Sequence, residues 1–210
     1  MKLRTTITAG AVAVVTTLAL AGCSSGAGGM SGMDMGSSSA SPSSSSSSSA
    51  TNNAADVMFA QMMIAHHMQA IEMSDIVLKK TGVDPKVTAI AKKIKAAQAP
   101  EIDEMNGFLT SWGEKPVTSM SDMSGMSGMS GMAGGEMMSS ADMDKLEKAS
   151  GAAASPLFLT QMVQHHTSAV AMAQDEVEKG KDPEAVALAK KIVDDQTTEI
   201  ATMKQLLSEL

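Results

Sequence analysis

Apolar residues recur along two segments of the chain at alternating steps of four and three, the spacing of helices that bury one stripe. Phe59, Met63, His66, Ala70, Met73 and Val77 share the first stripe, and Phe158, Met162, His165, Ala169 and Met172 share the second. A further amphipathic stretch follows each. One carries Ala91, Ile94, Gln98, Glu101, Met105 and Phe108 on a single face; the other carries Ala189, Ile192, Gln196, Glu199, Met203 and Leu206. Capping residues set the expected boundaries. Helix one starts at Asn53 or Asp56 and runs to about Lys80, with the turn at Thr81-Gly82-Val83. Asp84 and Pro85 supply an N-cap and a first helical residue for helix two, which runs toward Trp112 with a kink expected at Pro100. Ser155-Pro156 and Asp182-Pro183 read the same way for helices three and four, with helix three ending near Gly180 and helix four running to the C-terminus. A short helix from about Asp142 to Ala149 precedes helix three.

The stripes are copies of one another. Phe59-x3-Met63-x2-His66-His67-x2-Ala70-x2-Met73 recurs as Phe158-x3-Met162-x2-His165-His166-x2-Ala169-x2-Met172. Asp84-Pro85, Ala91-Lys92-Lys93-Ile94, Gln98, Glu101-Ile102 and Met105 recur as Asp182-Pro183, Ala189-Lys190-Lys191-Ile192, Gln196, Glu199-Ile200 and Met203. The repeating unit is therefore a whole helical hairpin. Neither hairpin can bury its apolar face alone, so the pattern predicts an all-α, four-helix bundle built from two duplicated hairpins.

Outside the hairpins the composition changes. Residues 1–22 read as a lipoprotein signal: Lys2 and Arg4, an apolar run from Ile7 to Leu20, then Leu20-Ala21-Gly22-Cys23, in which the Cys23 thiol takes the lipid. Residues 23–52 are rich in Ser, Gly and Ala and read as a disordered tether, with a root-mean-square reach of roughly 30 Å. The bundle domain spans 53–210, as a hairpin over 53–113, a Met/Gly-rich linker over 114–140 and a hairpin over 141–210. In the linker Met120, Met123, Met126, Met129 and Met132 recur every third residue, followed by Met137 and Met138; Met30, Met33 and Met35 form a smaller cluster in the tether. Glycine at the linker's density disfavours a helix, so these thioethers are expected outside the core.

Composition narrows the chemistry. A net charge of −7 and 2% aromatic residues argue against nucleic acid, which calls for basic patches and stacking platforms. Cys23 is the one cysteine, so after lipidation the protein has neither a disulfide nor a thiolate ligand. Outside the cytoplasm thiols oxidise, whereas a thioether is soft and cannot form disulfides. The chain holds 21 methionines and 4 histidines, and all the histidines lie in the duplicated motifs.

No packing rule requires His-His twice beside Met, and the pattern points to a soft-metal site. His66, His67, His165 and His166 are the expected ligands, with Met63 and Met162 one turn before them. Met73 and Met172 rank as ligands of a second site or of the entry path, since Met73 lies roughly 10 Å along the axis from His66. Stripe methionines also read as ordinary packing. The first His of each pair faces the interior in this phasing, and His67 and His166 sit at its edge. Gln98, Glu101, Gln196 and Glu199, polar on an inner face, need partners, and bonding to the histidines' second nitrogens would supply them. Phasing by one residue would instead turn Glu101 and Glu199 to the rim. The Lys92-Lys93 and Lys190-Lys191 pairs read as solvated face. The linker methionines suit weak capture of Cu(I), or act as an oxidant sink.

Thioether with imidazole suits copper, Cu(I) above all; imidazole alone also suits Cu(II), Zn or Ni. A di-iron bundle carries Glu-x-x-His, and here the residues three before each histidine are Met63, Ile64, Met162 and Val163. The sequence thus predicts a lipid-anchored, extracytoplasmic copper-binding protein that sequesters or buffers Cu ions. No turnover is required; Cu redox at the paired sites is the chemical step if one exists, and the identity of a copper donor or acceptor protein stays open. A dinuclear-metal enzyme using His and Glu, and a metal-independent interaction lipoprotein, are the rival readings. Whether the two halves make one shared site or two stays open.

From Asp56 to Leu210 the chain resembles the bacterial domain-of-unknown-function 305 family. The resemblance rests on Phe59 with Met63, His66-His67, Ala70 and Met73, then Glu101-Ile102, Met105, Phe108-Leu109, Trp112-Gly113 and the second His-His segment. It implies an exported, ferritin-like four-helix bundle and copper handling. Asp56 matches an acidic position of the family pattern, but the second copy has Ser155 there, so helix capping explains Asp56 better than ligation.

Overall fold

Asn53 and Asp56, the two expected starts of the first helix, act together in a computed structural model that describes residues 51–122 and 137–210. The Asn53 side chain accepts hydrogen bonds from the Ala55 and Asp56 N–H groups, and the Asp56 carboxylate accepts from the Asn53 N–H, a closed capping box. From this start α1 runs over Ala54–Leu78. Gly82, at φ +78°, makes the turn, and α2 follows over Pro85–Ser111, capped by Asp84 and continuous through Pro100. A short α3, Ser140–Lys148, leads to α4, Gly151–Lys179; α5 spans Pro183–Glu209, with Asp182 as its cap. Cys23, Met30, Met33, Met35, Met123, Met126, Met129 and Met132 lie outside the described residues, as does the signal segment. Among the described residues no helix is long and apolar enough to cross a membrane.

One boundary differs from expectation. Ser155 does not cap the third long helix; Ser150 does, its hydroxyl accepting from the Ala153 N–H, and Pro156 lies inside α4. Pro156 is tolerated there because the carbonyl it leaves without a donor, that of Ala152, belongs to an exposed residue that water can reach. Ser155 is buried, and its hydroxyl instead accepts from the Asp84 N–H at 3.0 Å, joining the start of α2 to α4.

The helices pair as the duplication requires. α1 packs most extensively on α2 and α4 on α5, and the two hairpins meet mainly through α1 and α4. The core falls into two apolar clusters. In one, Phe59, Met63 and Ile64 of α1 meet Ala169, Met172 and Ala173 of α4; in the other, Ala70, Met73 and Val77 meet Phe158, Leu159 and Met162. The start of α1 therefore lies against the end of α4, and the two helices cross antiparallel. The four histidines belong to neither cluster and occupy the level between them.

α1 is buried more widely than a single stripe explains, because α3 covers a further face of it. Leu146 of α3 is wholly buried in the second cluster. Met138, expected among the capture methionines, is core instead: it is 6% exposed and packs in that same cluster. The Gln69 side-chain amide fixes it by donating to the Met138 carbonyl and accepting from its N–H, at 2.9 and 2.7 Å. Met120 and Met137 remain exposed.

A polar cluster ties the hairpins at one end of the bundle. The Asp56 carboxylate also accepts from the Lys181 and Asp182 N–H groups, both at 2.9 Å, and the Trp112 indole N–H donates to Asp182. Burial pushes Asp56 up, but these N–H groups and Glu176 outweigh it and hold Asp56 below the usual carboxylate range. Glu176 faces Asp56 with both oxygens buried and no protein donor. Its burial, with the neighbouring carboxylates of Asp56 and Asp182, pushes its pKa to about 8, so Glu176 is held protonated beside Asp56. Gly180 admits the carboxyl: a Cβ there would stand 2.3 Å from Glu176 Oε1.

Candidate metal centre

Adjacent residues on a helix point about 100° apart, so a His-His pair addresses two neighbours at once. His66 of α1 and His165 of α4 turn toward each other across the hairpin interface, with ring centroids 3.6 Å apart at an interplanar angle of 37°. His67 and His166 turn into their own hairpins. Nε2 of His67 lies 2.8 Å from Glu101 Oε2 on α2, and Nε2 of His166 lies 3.0 Å from Glu199 Oε2 on α5. All four rings are at most 1% exposed. His67 and His166 are thus not at the edge of the bundle, as the simple stripe has it. The glutamates draw them inward.

The glutamates take the expected place behind the histidines; the glutamines do not. Gln98 Oε1 and both amide atoms of Gln196 are buried with no protein partner. The lysine pairs are only partly solvated face. Lys191 Nζ reaches Glu101 Oε1 at 2.7 Å, and Lys93 Nζ stands 3.5 Å from Glu199 Oε1, each crossing from the opposite hairpin. Two crossed chains result: Lys191 to Glu101 to His67, and Lys93 to Glu199 to His166. The internal repeat of the lysines was the available signal; their reach across α2 and α5 was not readable from one helix. Glu176 had a signal too, since the stripe Ala169-Met172-Ala173 continues to it, at the place Val77 holds in the first copy.

Burial keeps His66, His67 and His165 neutral, each with one lone pair free. Burial, reinforced by the charges of His67 and His166, lowers His66 to about 3; burial likewise drives His165 well below its ordinary value. Burial lowers His67 as well, and the hydrogen bond to Glu101 offsets only part of it. Glu101 is raised by burial but lowered further by the hydrogen bonds from His67 and Lys191, so it stays a carboxylate. A carboxylate only accepts, which places the His67 N–H on Nε2 and the free lone pair on Nδ1.

Six imidazole nitrogens are buried here without a protein partner: both nitrogens of His66 and of His165, and Nδ1 of His67 and of His166. Each such group costs about 1–3 kcal/mol. Among the described residues no three His, Cys, Asp or Glu side chains converge to hold an ion by themselves. The donors the fold adds on either side of the imidazole level are thioethers. Met63 and Met172 lie in the cluster on one side, with Met105; Met73 and Met162 lie on the other, with Met203. The antiparallel crossing therefore groups Met63 with Met172 and Met162 with Met73, where the sequence ranked Met63 with Met162.

Residues 56–207 match the family model of a domain of unknown function, DUF305. No functionally curated protein matches the chain. Among solved structures it is similar to a DUF305 protein from Streptomyces coelicolor named as secreted, at 39% identity over 74% of this chain and 93% of that one, with a TM-score of 0.64. A DUF305 fragment from Deinococcus radiodurans is 29% identical over 75% of this chain and 98% of that one, with a TM-score of 0.62. A third similar protein, CopM, has been solved in Cu(I)-bound, Cu(II)-bound, Ag-bound and apo forms. Its Cu(II)-bound form is 31% identical over 73% of this chain and 96% of that one, with a TM-score of 0.60. With the duplicated His-His hairpins spanned almost end to end by the family pattern, the chain belongs to the DUF305 family.

Proposed function

We propose that this protein sequesters or buffers copper outside the cytoplasm, anchored to the membrane through a lipid on Cys23. The observation that carries the reading is the level of six unpartnered imidazole nitrogens between two methionine-bearing clusters. Each neutral ring has one lone pair and one N–H, so an ion would accept four of these nitrogens, one per ring, and remove the cost of burying them bare. His66 and His165 are the shared donors, His67 and His166 add Nδ1, and Met63, Met172, Met73 and Met162 supply sulfur. Glu101 and Glu199 orient the outer pair of rings. CopM, bound to Cu(I), Cu(II) and Ag, supports a soft-metal preference in a similar bundle.

Both glutamates are engaged by histidine and lysine, which favours a positioning role over the direct ligation that a dinuclear enzyme requires. The function therefore needs no bond-making step. Met120, Met137 and the methionines between them act as auxiliary collectors of Cu(I). The experiment is an anaerobic Cu(I) competition against a chromogenic chelator, using the mature protein and a variant with all four histidines changed to Ala. Binding that disappears in the variant is expected. Binding unchanged in the variant would move the site to the methionine-rich linker.

A further inference from the structure

An ion bound among rings that are at most 1% exposed needs a route from solvent, and the bundle has unequal sides. α1 and α4 face each other and carry α3 across them, whereas α2 and α5 pack only sparsely together. Between α2 and α5 lies a cleft of about 110 Å³, lined by Lys93, Ala97, Gln98, Glu101, Gln196 and Glu199 among others. No histidine lines it, but Glu101 and Glu199 do, and each is hydrogen-bonded to a histidine, so one side chain separates the cleft from the imidazole level on either side.

The polar groups along it are graded from outside inward. Lys93 lines the cleft, and Lys191 reaches in from beside it to Glu101 and Asp195; their side chains are 63% and 56% exposed. Next come the Glu101 and Glu199 carboxylates, and beside them the amide atoms of Gln98 and Gln196 that find no protein partner. Lys191 has a second acceptor one turn along α5, Asp195, at 2.9 Å, so it can leave Glu101 without losing its ion pair. We propose that this cleft is the port through which a soft monovalent cation reaches the histidines, with Lys93 and Lys191 as its gate. Withdrawal of a lysine exchanges one cation for another on the same carboxylate. The cation passes from Glu101 or Glu199, past the glutamine oxygens, to His67 or His166. This rests on the binding reading above and adds the path.

Uptake kinetics test it, with Ag(I) as the probe mixed by stopped flow with the mature protein. Removing the gate charge in K93Q/K191Q is expected to speed uptake about tenfold, within the range over which association rates vary among variants of one site. Narrowing the cleft with Ala97→Trp, which changes no donor, is expected to slow uptake about tenfold and leave the amount of Ag(I) bound at equilibrium unaltered. Binding by the unaltered protein with equal rates in all three proteins would overturn the port and leave the binding reading standing. Failure of the unaltered protein to take up Ag(I) would overturn both. Lysines that merely stabilise the fold would not speed uptake when neutralised.

Discussion

Glu176 and His66 are both buried ionisable residues of the inner seam, and their surroundings send them to opposite uses. His66 faces another imidazole and is held neutral, which leaves its nitrogens available. Glu176 faces Asp56 and is held protonated up to about pH 8, which spares the pair a second negative charge. The unfolded chain releases that proton near the ordinary value of 4.5. Between these limits the folded state binds the extra proton, so stability is fully present below about 4.5 and is lost as pH rises through about 8. Asp56, held below the usual range, acts in the opposite sense, and only in acid. Glu176→Gln keeps a donor facing Asp56 without the titration. Melting followed from pH 5 to 9 should show the parent losing stability across that span and the variant declining much less; parallel curves would contradict the assignment. Much at this scale was legible beforehand, including the four histidines, the flanking methionines and the glutamates behind them. The depth of His67 and His166, and the reach of Lys93 and Lys191, depend on what the neighbouring helix presents, which one helix's periodicity does not contain.

At the scale of elements, periodicity and caps located the helices well where a cap stands beside a proline. Asp84-Pro85 and Asp182-Pro183 start α2 and α5 as read. Ser155-Pro156 offered the same signature but lies inside α4, because Ser150 captures the helix start first and Ser155 is buried against the α1–α2 turn. Local signals of equal strength were decided by tertiary contact. α3 shows the same effect. Its short span was legible, but its purpose, covering the broad apolar face of α1, appears only once Leu146, Met138 and Gln69 are seen together. Leu146→Ala, at a fully buried position, should cost about 2–5 kcal/mol in chemical denaturation. A loss below about 0.5 kcal/mol, typical of surface positions, would mean that α3 does not stabilise the bundle.

For the whole molecule, duplication explains both the fold and the arrangement of the centre. Two copies of a hairpin meeting antiparallel place equivalent histidines face to face, and each copy's glutamate behind its own second histidine. The cross-hairpin lysines follow from the same symmetry. Pairing of the methionines does not follow from either copy alone, since the crossing sets Met63 beside Met172 rather than Met162. The central claim is that the imidazole level holds the ion. The chain's 4 histidines all lie there, so a 15N-labelled sample gives four imidazole spin systems and no others. Adding one equivalent of Ag(I) and recording long-range 1H–15N spectra should shift Nδ1 of His67 and His166 and a nitrogen of both His66 and His165, while Nε2 of His67 and His166 keeps its proton. Four unchanged imidazoles, with shifts confined to methionine methyls, would contradict the account.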